Sequence, residues 1–200
     1  MTTAHRLAIW LPALLLAGPA AAHHPMGGEV PSTAWHGLAS GLAHPVIGPD
    51  HLAFLLAAGL VAGLARWGAL RPLSFVLGSL VGVVAAWLGA WLPAVEWLVA
   101  ATLLMAGVLL IAGPVRSAGW AALLPVAGLL HGQAYAKAMI GAEATPVLAY
   151  LLGLALVQAL IVLAVAALVR RTAELPRAMV ARFAGCALLA VGLLGLFAQA

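Results

Sequence analysis

LAHPVIGPDHLAF, residues Leu42 to Phe54, gathers two histidines and an aspartate, His44, Asp50 and His51, around two prolines and a glycine. Proline inside a helix removes a hydrogen bond and crowds the preceding turn, so this stretch interrupts what would otherwise be continuous apolar helix. The segment before it, Thr33 to Ala43, reaches about 16 Å at helical rise, roughly half the hydrocarbon thickness of a bilayer. The segment after it, 50–66, is close to the length of a full span. The pattern predicts a half-helix that dips in from the outer face, breaks at His44-Pro45, and turns at Gly48-Pro49 into the first span.

The rest of the chain supports a membrane setting. Its 200 residues are 66% hydrophobic and 7% charged, with a mean hydropathy of +1.15. A soluble domain carries about 25% charged residues, so this chain cannot cover itself in water. The expected fold class is all-α: a polytopic membrane helix bundle of about six transmembrane helices plus the N-terminal half-helix. After 50–66 the expected spans are 71–92, 94–113, 118–140, 144–168 and 177–198. Pro72, Pro93, Pro114, Pro146 and Pro176 fall at or near their ends, where proline is tolerated. Residues 1–22 read as a cleaved signal peptide, with a basic start (MTTAHR), an apolar run (LAIWLPALLLAG) and Ala20-Ala21-Ala22 as an A-x-A site. Residues 23–200 then form a single integral membrane domain, because the connectors are too short to separate folding units.

Charge placement orients the bundle. Nine Lys and Arg stand against five Asp and Glu, a formal net charge of +4. Arg66 and Arg71, then Arg116, then Arg170, Arg171 and Arg177 mark alternate connectors. Glu96 and Glu143 mark the others, with only Lys137 nearby. The positive-inside rule puts the basic connectors in the cytoplasm. The mature N-terminus is then outside a bacterial inner (plasma) membrane, and one net crossing precedes Arg66. No basic run is interleaved with aromatics, which argues against nucleic acid as a partner. The lone Cys186 can form no intrachain disulfide. No P-loop occurs, so ATP hydrolysis by this chain is not supported. Transport would draw on membrane potential, worth about 2.3 kcal/mol per charge per 100 mV, or on a proton gradient.

Ionisable groups at membrane depth cost several kcal/mol each and are therefore functional candidates. His44, Asp50, His51, His131 and His36 are expected to converge in the outer half, with His131 about 13 Å below the outer end of its span. Imidazoles with a carboxylate suit Ni²⁺, Co²⁺, Zn²⁺ or Cu²⁺ better than alkali ions or Mg²⁺. The free carbonyls ending the half-helix add partial negative charge, as at transporter cation sites. Tyr135, one turn from His131, and Gln158 and Glu143 are candidates for the surrounding pathway. His23 and His24 would sit at the mouth as outer capture residues. Structural roles compete with these: Asp50 as an N-cap, the histidines as hydrogen-bonded core, Glu143 on a solvated face. Glycine pairs at four-residue spacing (Gly37/Gly41, Gly59/Gly63, Gly78/Gly82) would let helices approach closely.

Several functions fit this chemistry. The leading one is a secondary permease for a divalent transition metal rather than an enzyme. A membrane protein that holds the metal without moving it is the main alternative. An intramembrane metal hydrolase could use His, His and Asp on zinc, but no HExxH motif or obvious general base occurs. A bis-histidine haem between His36 and His131 is a further alternative.

HPVIGPDH (44–51) fits an HPxxGxDH pattern, and HGQAYAKAMIGAEATPVLAYLLGLALVQ (131–158) forms a second block. On these motifs the chain resembles the HupE/UreJ family, hydrogenase and urease accessory membrane proteins regarded as nickel or cobalt permeases. The resemblance implies His44, Asp50, His51 and His131 as functional residues, with His36 matching less closely. It also implies Ni²⁺ first and Co²⁺ second as the ion, and hydrogenase or urease maturation proteins as partners. Ala136 stands where the second block usually has Gly, and Lys137 where it usually has an acid. Tyr135 replaces a second histidine of the wider family. A lysine beside a cation path is unfavourable unless it snorkels to the interface.

Overall fold

The computed structural model describes residues 30–172 and 176–199, and among these it is helical with no strand. Seven α-helices follow in order: α1 (Ala34–Ile47), α2 (Pro49–Leu64), α3 (Leu70–Trp87), α4 (Val95–Ala112), α5 (Ala118–Tyr135), α6 (Ala144–Arg171) and α7 (Arg177–Phe197). A 3₁₀ turn, Ala136–Met139, follows α5. The signal peptide read at 1–22, and His23 and His24, lie outside the described residues.

The start of α1 follows from its sequence, since Thr33 is extended and its side chain accepts from the His36 N–H at 3.1 Å. The break comes later than expected. α1 runs through His44 and Pro45 and ends at Ile47, with Pro45 buried inside it. The chain turns at Gly48, whose ψ of 110° takes it out of the helix. A residue preceding proline is pushed towards extended backbone. Gly48 before Pro49 obeys that preference, while His44 before Pro45 is held in the helix. Pro49 then opens α2, where its missing N–H costs nothing, and α1 and α2 meet at a 78° bend.

Close packing fixes how the bent pair runs. Gly37 lies against the backbone of Pro146, and Gly41 against that of Tyr150 and Leu154. Gly59 lies against Val162 and Val165, and Gly63 against Ala166 and Val169. Numbers rise together on both sides, so α1 and α2 follow the 28-residue α6 in one direction, as a single broken traverse. A second parallel pair forms between α3 and α5, where Gly78 and Gly82 meet the α5 backbone while Gly128 and Gly132 meet that of α3. The glycine spacing read from the sequence thus places backbone on backbone. α4 packs antiparallel on α7 through Gly107 and Gly185.

Four helices, α3, α4, α6 and α7, are long and apolar enough to cross a membrane, and the α1–α2 pair adds a fifth. The remaining expected span, 118–140, is the 18-residue α5, made less apolar by Pro125, His131 and Gln133. Outward faces of α6 and α7 carry exposed Leu156, Leu160, Phe183 and Leu193, as a lipid-facing surface requires. At the arginine-rich end, Arg116 Nε donates to Ala65 O at 2.9 Å and Arg170 donates to Trp67 O. Arg71 lies over the Trp67 ring at 5.3 Å. Arginines from three places thereby grip the connector between α2 and α3.

Candidate metal centre

Where the chain bends, polar side chains from α1, α2, α4, α5 and α6 are enclosed together. His44, His51 and His131 are 3%, 4% and 0% exposed. His51 Nδ1 and His131 Nδ1 are 2.9 Å apart, joining the start of α2 to α5. The His44 ring lies 5.9 Å from that of His51, edge-on. Tyr135 sits between them, 4.3 Å from His51 and 5.1 Å from His44 by ring centroids. Phe54 and Phe75 close the His131 side at 5.0 and 5.4 Å.

Asp50 stands inside the first turn of α2, with Gly48 in the capping place expected for it. Its Oδ1 accepts from the His51 N–H at 2.8 Å and lies 4.0 Å from His51 Nδ1. It therefore serves the helix start, whose N–H groups lack carbonyl partners, and also faces the imidazole. His131 is nearer its helix end than the sequence suggested. α5 stops at Tyr135, four residues on, and the chain tightens into the 3₁₀ turn.

Two residues missed in the sequence hold the outer histidines. The Thr102 hydroxyl lies 2.7 Å from Val99 O and 3.1 Å from His131 Nε2. The Tyr150 hydroxyl lies 3.1 Å from Tyr135 O and 3.0 Å from His44 Nδ1. Tyr150 had one available signal: it is one of only two tyrosines in the chain, and both are buried. Thr102 had none, because α4 is apolar on every face.

The remaining candidates separate. His36 is half-buried in the first turns of α1, with its Nδ1 3.5 Å from Ser32 Oγ. It lies two turns from His44 and makes no ring contact with the three buried histidines. Gln158 is fully buried, its side-chain amide 2.9 Å from the Ser79 hydroxyl, on an inward face as expected. Glu143 is exposed at the start of α6. Lys137 is exposed and pairs with Glu96 at 2.6 Å, which removes the conflict of a lysine beside a cation path. Among the described residues, no three His, Cys, Asp or Glu side chains already stand in a metal-coordinating set. The nearest approach to one is the His51–His131 pair with Asp50 beside it.

The apolar outer surface, the broken traverse and the enclosed histidines define a multi-pass helical membrane protein with a polar cluster at the break. The chain belongs to the HupE/UreJ family: the family model, described as HupE / UreJ protein, matches residues 11–195. This is a transport and accessory family, and membership suggests a nickel/cobalt accessory or permease role. No curated protein and no solved structure matches the chain.

Proposed function

We propose that the chain is a secondary permease that carries Ni²⁺, and secondarily Co²⁺, inward across a bacterial inner membrane. In this reading the signal peptide is removed and residues 23–200 form one membrane domain with its N-terminus outside. His44, Asp50, His51 and His131 bind the ion. His36 lies on the approach, and Tyr135, Glu143 and Gln158 on the path around the site; His23 and His24, outside the described residues, are assigned the capture of the ion. The cytoplasmic recipients are hydrogenase or urease maturation proteins.

The observation that carries the reading is the 2.9 Å separation of two buried Nδ1 atoms on different helices. That distance is an N–H···N hydrogen bond, and an ion held at about 2.0–2.1 Å from each imidazole nitrogen would take the place of its proton. Asp50 Oδ1, 4.0 Å from His51 Nδ1, is close enough for one ion to touch both. The test is uptake of radiolabelled nickel by cells expressing the chain, with Co²⁺, Zn²⁺ and Cu²⁺ as competitors. Uptake should vanish in the His44→Ala/His51→Ala double variant, and unchanged uptake would overturn the proposal. Binding without flux into proteoliposomes would replace it with the metal-holding accessory role.

A further inference from the structure

A carbonyl oxygen can only accept a hydrogen bond, and a hydroxyl has one proton to give. Thr102 Oγ1, at 2.7 Å from Val99 O, must therefore spend its proton there. Towards His131 Nε2, at 3.1 Å, the same oxygen can only accept, so Nε2 carries the ring proton. In the neutral ring this leaves Nδ1 as the basic nitrogen, and Nδ1 is the atom 2.9 Å from His51. The same reasoning applies at the other end of the cluster. Tyr150 gives its proton to Tyr135 O at 3.1 Å and accepts from His44 Nδ1 at 3.0 Å. His44 is then the Nδ1–H form, with Nε2 as its basic nitrogen.

We infer that Thr102 and Tyr150 are positioning residues that select the ring forms of His131 and His44, so that defined nitrogens are offered to a divalent transition metal. The arrangement is carbonyl, hydroxyl, imidazole on both sides. Each hydroxyl is committed by a backbone carbonyl that cannot rotate away, Val99 O inside α4 and Tyr135 O at the end of α5. Without Thr102, His131 would be free to place its proton on Nδ1, the face turned to His51, and would then present no lone pair there. A metal-binding histidine generally gives its other N–H to a fixed acceptor, and loss of that acceptor typically weakens binding 10–100-fold. Both hydroxyls are buried beside the histidines they orient, and each commits its proton to a backbone carbonyl.

The inference rests on His131 being a ligand, and the experiment separates the two claims. The full chain in detergent, labelled with ¹⁵N-histidine, reports which ring nitrogen of His131 holds the proton, with the His131 signals assigned by their loss in His131→Gln. Ni²⁺ affinity is measured by calorimetry on the same preparations. The expected result is an Nε2–H ring in the wild type. Thr102→Val should lose that signature and bind Ni²⁺ 10–100-fold more weakly, and Thr102→Ser should restore both. Tyr150→Phe, which removes one hydroxyl and little volume, is the second probe and should weaken binding by a similar factor. If Thr102→Val and Tyr150→Phe keep wild-type affinity while His131→Gln loses it, the positioning role is overturned and the ligand survives. An Nδ1–H ring in the metal-free wild type also overturns the role. Wild-type affinity in His131→Gln overturns the ligand assignment itself.

Discussion

Replacing Gly132 by alanine tests whether the His51–His131 pair depends on backbone contact between α3 and α5. An added Cβ at this position would stand 2.1 Å from Ser79 O and 2.8 Å from Ser79 C and Cα. Ordinary contact begins at 3.4 Å, so the shortfall against the oxygen is 1.3 Å. These atoms are backbone and cannot rotate aside, so one helix must shift bodily. Overpacking of this kind costs about 1–3 kcal/mol, and contact with two rigid helices places it near the upper end. Alanine returns up to about 1 kcal/mol through its better helix propensity. The net expectation is a loss of about 2 kcal/mol, or about 4–8 °C in Tm for a chain of this size. The larger effect should fall on binding. Metal–ligand distances tolerate about 0.2 Å, and His131 precedes the displaced residue directly. Ni²⁺ affinity should fall at least tenfold, equivalent to about 1.4 kcal/mol. Thermal unfolding and calorimetry in detergent measure both quantities. Gly68→Ala is the control, since no atom lies within 4 Å of its Cβ position. Unchanged Tm and unchanged affinity in Gly132→Ala would refute the reasoning.

Other substitutions separate stability from chemistry. Asp50→Asn keeps an acceptor for the His51 N–H, so Tm should hold while the lost charge weakens Ni²⁺ binding about tenfold or more, and equal affinity would remove Asp50 from the site. Gln133→Leu abandons Leu92 N, Ala90 O and Gly82 O, which its amide satisfies at 3.1, 2.9 and 3.3 Å. It should cost about 1–3 kcal/mol by thermal unfolding, with Ni²⁺ affinity kept in the folded fraction. Lys137→Gln breaks an exposed ion pair and should change stability by no more than about 1 kcal/mol, an effect that shrinks as salt is raised. Gly48→Ala puts a methyl 2.7 Å from His51 Cδ2. The ring must turn, and nickel uptake should fall with it while the protein still folds.

The sequence showed the bend, the glycine contacts and the three buried histidines, because each rests on a residue type that is rare or restricted in such a chain. Proline and glycine announce a break, and an imidazole in apolar surroundings needs a partner. What it could not show depended on rotation and register. α4 has no polar face, so nothing announces that Thr102 turns towards His131. The break moved from Pro45 to Gly48 because Gly48 can leave the helix freely, while α1 stays packed on α6 through Gly41. The depth of His131 was misjudged because the chain from Ala136 to Met139 keeps a helical look in sequence but winds more tightly. The Lys137–Glu96 pair joins residues forty-one positions apart, and only the fold brings them together.

The glycine-mediated contacts give the bundle two stiff leaves, α1 with α6 and α3 with α5, whose backbones touch without side chains between them. His44 and Tyr150 belong to the first leaf and His131 to the second, while His51 lies in the first turn of α2, just past the bend. An ion gripped by these imidazoles would be a pin through both leaves. Sliding one leaf on the other stretches the grip, and tightening the grip resists the slide, since any cargo can shift such an equilibrium only by the difference in its hold on the two states.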